Sequence, residues 1–167
     1  MIEDVVILSW DRAEPVVEGA AVVVQGPRIV EVTTGRPARS GRRIAGRGAF
    51  LMPGLIDAHM HCYGSRHPDP LVAWLDSPAL SALRAGVDVS RMLRMGVTTV
   101  RDCGSRAGVA VGRAIAEGSG QGPQVFAANM GIAATGWQAD IAAVPLVQVR
   151  GRESGGAHDR TPAITGP

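Results

Sequence analysis

His59 and His61 stand two residues apart in the run Pro53-Gly54-Leu55-Ile56-Asp57-Ala58-His59-Met60-His61. Side chains two apart on a strand project to the same face, so the two imidazoles can offer nitrogen lone pairs to one ion. Zinc and similar divalent cations favour such ligands. An isolated His-x-His also occurs by chance, so the spacing alone leaves two readings open: a metal site, or two imidazoles that merely share a face. If the strand belongs to a (β/α)8 barrel, its C-terminal end opens on the face where such barrels hold their active sites.

Other polar residues fall near the same place. Asp57 reads as structural, holding strand and loop through backbone hydrogen bonds, with a direct chemical role as the alternative. Asp102 ends a second apolar run, where support is expected ahead of catalysis. Cys62 and Cys103 follow the two runs and are expected to be small buried thiols, with a position near a metal as the alternative. His67 precedes Pro68 and reads as a solvated loop residue, with a substrate contact as the second reading. The glycines from Gly118 to Gly122 lack the spacing of a phosphate-binding loop and read as a helix stop. No residue is placed by motif as a general base, so the catalytic residues are unassigned.

The elements that must position these groups are marked by their ends. Val5 to Leu8, Ala20 to Gln25 and Ile29 to Val32 are short apolar runs, the last two separated by Gly26-Pro27, and predict strands. Arg36 to Gly48 is rich in Gly, Arg and Pro and predicts a loop. Leu55 to Ala58 has the pattern of a buried strand. Ser77-Pro78 supplies a capping hydroxyl and a first-turn proline, and Gly96 follows Met95 as a stop, which predicts a helix between them. Leu80, Leu83 and Val87 recur at helical spacing as its buried face, with Arg84, Asp88 and Arg91 free to pair along the surface.

Val97 to Val100 is β-branched and predicts a strand. Gly108 to Glu117 predicts a second helix with Val111, Ala114 and Ile115 on one side, and Gln124 to Ala128 a third strand. Ala142 to Val149 can form one more. This alternation argues for parallel βα units. The fold class is therefore α/β: an incomplete (β/α)8 TIM-like barrel of about three βα units, preceded by a small β unit. Residues 1–50 form the small β portion, 51–136 the partial barrel, and 137–167 an unpatterned tail expected to be disordered.

Composition narrows the class of function. The chain has 167 residues, 46% hydrophobic and 19% charged, which suits a soluble globular protein but falls short of the ~250 residues of a complete barrel. All 17 basic residues are Arg and the net charge is only +2, so nucleic acid is not an expected partner. Two cysteines make no disulfide framework, and the acidic start Ile2-Glu3-Asp4 is unlike a signal peptide, which points to a cytoplasmic protein. No apolar run reaches the ~20 residues needed to span a bilayer, so no membrane partner is expected.

Pro-Gly-Leu-Ile-Asp-x-His-x-His after a small β unit resembles the first barrel strand of the amidohydrolase superfamily. Gly96-Val97-Thr98-Thr99-Val100-Arg101-Asp102 is similar to the segment after its first barrel helix. Gly122-Pro123-Gln124-Val125, Gly131-Ile132 and Ala134-Thr135-Gly136 resemble the next strand and loop of its imidazolonepropionase-like and Xaa-Pro dipeptidase-like branch. The resemblance runs from residue 1 to about 136. It implies a small β-sandwich beside a distorted barrel, with one or two divalent metals, zinc foremost, activating water to attack an amide, cyclic amide or peptide-like bond of a small molecule. His59 and His61 match the family's first two metal ligands.

Departures from the family pattern are equally specific. The chain has no Lys, and its remaining histidines are His67 and His158. Where the branch reads Thr-Gly-Gly-His, this chain reads Thr135-Gly136-Trp137-Gln138. The later ligands are missing, which points to a truncated or frame-shifted reading frame with little or no activity alone. Two readings follow: an amidohydrolase-type hydrolase of carbon–nitrogen bonds whose site is incomplete here, or a non-catalytic partial barrel that binds metal weakly or self-associates through an open sheet edge.

Overall fold

A computed structural model describes residues 1–9, 15–68 and 76–129, together with the backbones of 133–134 and 163–164. The chain divides into two compact units, Met1–Pro53 and Gly54–Pro167.

The first unit is built on one four-stranded sheet. Strand β1 (Ile2–Leu8) pairs antiparallel with β2 (Val16–Gln25), and β2 pairs antiparallel with β3 (Arg28–Thr34). On its other side β1 pairs in parallel with β4 (Ile44–Leu51), giving the order β3-β2-β1-β4. Val5, Ile7, Ala20 and Val22 form its buried cluster, with Ile2, Val17 and Leu51 packed against them. The three expected strands are present.

The stretch Arg36 to Gly48, expected as loop, is corrected at its end, because Ile44 onward is strand. Long-range pairing overrides local composition here. Glu3 faces Ala45 whereas Val5 faces Ala49, so β4 bulges by two residues opposite Asp4. Gly46 is required in that bulge: a Cβ there would run into the Val5 side chain and lie 2.8 Å from the Asp4 carbonyl oxygen. What reads as a Gly-rich linker is the bulged half of a ladder.

The second unit contains a parallel three-stranded sheet, in the order β5-β6-β7: β5 (Leu55–Met60), β6 (Val97–Asp102) and β7 (Gln124–Ala127). Helix α1 (Pro78–Arg94) joins β5 to β6, and α2 (Arg106–Ala116) joins β6 to β7. The parallel βα alternation is thus observed. Ser77 caps α1 by accepting a hydrogen bond from the Leu80 amide at 3.2 Å, with Pro78 in the first turn and Gly96 just past the end.

The buried face of α1 differs from expectation. Leu83 is 72% exposed, and Leu80 and Val87 are exposed as well, whereas Ala85 and Val89 are buried. These pack with Ala82, Met60 and Cys62, and with Ala107, Val111 and Ile115 of α2. Small residues let the helices and the sheet approach closely, so the stripe Ala82–Ala85–Val89 wins over the larger aliphatics. The surface pairing is as expected for Asp88 with Arg91; Asp88 also takes Arg66, and Arg84 takes Asp76 from before the helix.

The buried-strand expectation for Leu55 to Ala58 is corrected too. Among the described residues β6 is the single neighbour of β5, and Ile56 is 70% exposed. The fourth strand expected at Ala142–Val149 lies outside the described residues. So does the tail, apart from Ala163–Ile164 (β9), which pairs in parallel with Ala133–Ala134 (β8).

Candidate metal centre

Parallel pairing brings the C-terminal ends of β5, β6 and β7 side by side. The Cys103 amide donates to the Met60 carbonyl at 2.9 Å, and the Ala128 amide to the Asp102 carbonyl at 2.9 Å. His59 is the penultimate residue of β5 and His61 the first beyond it, so both project from this end of the sheet. Their ring centroids lie 5.5 Å apart, edge to face. Both histidines are exposed.

Each histidine has a support, His59 at its backbone and His61 at its ring. The His59 amide donates to the Asp57 carboxylate at 3.1 Å, which fixes the backbone at the strand end and agrees with the structural reading of Asp57. His61 Nδ1 lies 3.1 Å from the Gly104 carbonyl oxygen, and Tyr63 stacks on its ring with centroids 5.0 Å apart and planes 2° from parallel. A carbonyl oxygen can only accept, so in the neutral ring this contact places the proton on Nδ1 and leaves Nε2 with its lone pair.

Asp102 is the hub beneath these groups. It is fully buried, and its carboxylate accepts from the Ser105 hydroxyl at 2.6 Å, the Gly104 amide at 3.2 Å and the Cys62 amide at 3.5 Å. Ser105 in turn accepts from the Gly108 amide at 3.0 Å and so caps α2. Among the described residues no buried side-chain nitrogen or oxygen lacks a partner.

Cys62 is 3% exposed, and burial, followed by the charges of Asp102 and Asp88, pushes its thiol up from 9.0 to about 11. A thiol raised in this way is protonated at neutral pH, and its burial is as expected. Tyr63 is pushed up by burial and then by Asp102. Cys103 departs from the expectation of a buried thiol: it is partly exposed at the strand end, its thiol 3.9 Å from the Arg101 carbonyl oxygen. His67 is in the exposed loop. That loop is tied to α1 by Arg66, whose guanidinium forks onto both oxygens of Asp88 at 2.7 and 2.8 Å.

Two imidazoles thus stand at one strand end, nitrogen donors of the kind divalent cations take, and His61 has its Nδ1 engaged by a carbonyl oxygen. Among the described residues no third His, Cys, Asp or Glu completes a metal-binding group with them. Gly131, Ile132, Thr135, Gly136, Trp137, Gln138 and His158 lie outside the described residues. The Asp102–Ser105 pair and the Tyr63 stack are additions to the sequence reading. Ser105, three residues before Gly108, carried a helix-cap signal that would have moved the helix start to Arg106.

Residues 50–165 match the model of the amidohydrolase family. The ochratoxinase of Aspergillus niger is 34% identical over 107 residues, which is 63% of this chain and 22% of that protein. Its crystal structure superposes with a TM-score of 0.76 at 30% identity, covering 90% of this chain and 35% of the other. A prolidase solved in complex with N-methylphosphonate-L-proline gives a TM-score of 0.73 at 32% identity, covering 83% of this chain and 34% of that one. The adenine deaminase of Deinococcus radiodurans is 38% identical over 65 residues, 37% of this chain and 12% of its own length. The chain thus spans about a third or less of the length of these proteins.

Proposed function

The chain belongs to the amidohydrolase family, and we propose that it forms the part of a metal-dependent hydrolase that supplies the first two ligands, His59 and His61, to a divalent cation. The substrate class is a small molecule with a carbon–nitrogen bond, an amide, cyclic amide or peptide-like link. The observation that carries this reading is the imidazole pair at the end of β5, with His61 Nδ1 engaged by the Gly104 carbonyl. Zinc is the ion we assign, as one of the divalent cations that take nitrogen donors of this kind. Bound, such an ion supplies Lewis acidity for polarising a carbonyl and acidifying water.

In this reading β5, β6 and β7 are the first three strands of a (β/α)8 barrel, and the sheet of the first unit is one layer of a small β-sandwich. The corresponding domains are 1–50 and 51–136, with 137–167 an unpatterned tail, and the setting is cytoplasmic. Two imidazoles hold zinc far more weakly than the three or four ligands of a working site. The chain alone is therefore expected to bind metal without detectable turnover.

The test is elemental analysis of the purified chain beside the His59→Ala/His61→Ala variant. About one zinc per chain after equilibration with excess zinc, lost in the variant, supports the ligand assignment; no metal in either under those conditions sinks it. Metal-dependent hydrolysis of Xaa-Pro dipeptides or simple amides by the purified chain would overturn its expected inactivity.

The exposed Leu55 and Ile56 on β5 favour a second reading, a non-catalytic partial barrel that pairs with another copy through this edge. Analytical ultracentrifugation separates the two readings. A concentration-dependent dimer without bound metal favours the second, and a metal-binding monomer removes it.

A further inference from the structure

The loop that engages His61 is tied at Gly104. Gly104 is held on both sides: its amide donates to Asp102 and its carbonyl faces His61 Nδ1. The same carboxylate accepts from the amide of Cys62, the residue directly after His61. One buried side chain at the end of β6 therefore fastens both the backbone that carries the imidazole and the carbonyl that orients it.

The surroundings are shaped to keep that carboxylate in place. Ser105 donates to its second oxygen, and Gly108 leaves room for it, since a Cβ at position 108 would fall on Asp102 Oδ2. Glycine in the first turn of a helix costs about 1 kcal/mol against alanine, so the space it leaves outweighs its helix propensity here.

We propose that Asp102 is the positioning residue for His61: through Gly104 and Cys62 it holds the imidazole with Nδ1 protonated and presents Nε2 as a lone pair to a divalent cation. The role of the cation rests on the metal-ligand reading above, whereas the tautomer is a property of the metal-free chain. Groups that orient a ligand in this way are worth roughly 10- to 100-fold in metal affinity.

The experiment uses the full chain, metal-free and at a pH where His61 is neutral. Long-range 1H–15N correlation of the imidazole nitrogens reports which one carries the proton. Wild type is expected to show Nδ1–H for His61, and Asp102→Ala a mixture of tautomers, with His59 unchanged and zinc bound roughly tenfold or more weakly. Asp102→Asn keeps an oxygen for the Gly104 and Cys62 amides and is expected to restore the wild-type tautomer. Nε2–H in wild type, or an unchanged Nδ1–H in folded Asp102→Ala, overturns the proposal.

Should Asp102→Ala fail to fold, Gly108→Ala pushes the carboxylate aside without removing it. The same tautomer loss is expected, and an unchanged Nδ1–H counts against the proposal. Wild type that shows Nδ1–H but binds no zinc removes the metal-ligand reading and leaves the clamp standing. Wild type that binds zinc through His61 with Nδ1 unprotonated removes the clamp alone.

Discussion

The two compact units bury different kinds of side chain. In Met1–Pro53 the buried side chains are aliphatic ones such as Val5, Ile7, Ala20 and Val22. In the second unit the buried set also includes a carboxylate and a hydroxyl, Asp102 and Ser105. Burying a carboxylate is costly unless its oxygens are bonded, and here both are. The first unit is held by strand pairing and apolar packing. The second places its costly burial at the strand ends, where the candidate ligands are, and the polar cluster there sets geometry as well as stability.

The sharpest way to break this contrast is to remove the buried carboxylate. Asp102→Ala leaves the Ser105 hydroxyl and the Gly104 and Cys62 amides without an acceptor and is expected to lower stability by about 3 kcal/mol. Val22→Ala in the first unit deletes two methyl groups and is expected to cost about 2 kcal/mol. Chemical denaturation measures both, and an Asp102→Ala cost well below that of Val22→Ala would show that the polar cluster contributes little.

A second effect, on the order of 2 kcal/mol, belongs to Cys62. Its thiol is raised in the folded chain, so the folded state holds a proton that the unfolded state releases near pH 9.0. Its contribution is complete below pH 9.0 and is lost as pH rises through about 11. Cys62→Ala is expected to flatten that alkaline loss of stability, while Tyr63, also raised, leaves a remainder of the same sign. A wild-type pH profile already flat over this range would contradict the buried, neutral thiol.

The smallest effect concerns the loop after His61. Arg66 and Asp88 pair bidentately but lie at the surface, where solvent screens the pair, so Arg66→Ala is expected to leave the denaturation midpoint almost unchanged. A midpoint shift comparable to that of Asp102→Ala would mean that the loop, and not the buried cluster, anchors this region.

Legibility in the sequence followed the range of the interaction. Ser77, Pro78 and Gly96 delimit α1 by contacts within a few residues, and His59 and His61 share a strand end by simple alternation; both patterns were readable locally. The buried face of α1 was not, because the periodicity of large aliphatics pointed to Leu80, Leu83 and Val87. Close packing against the sheet and α2 selected Ala82, Ala85 and Val89 instead. Strand β4 was hidden for a similar reason, since its bulge at Gly46 exists only against Asp4 and Val5, some 40 residues earlier. Asp102 was readable as a strand-end support; its reach to Cys62, 40 residues away, was not.

The shared carboxylate also bears on how this region can change over generations or in a mutagenesis library. Positions 102, 105 and 108 form a single module: a larger residue at 108 displaces the side chain at 102, and loss of the hydroxyl at 105 strips that side chain of a partner. Substitutions among them are expected to be epistatic, tolerated together and rejected singly. A graft that exchanges the segment around His61 must therefore carry residues 102–108 with it, and one that extends through Arg66 must carry Asp88 as well.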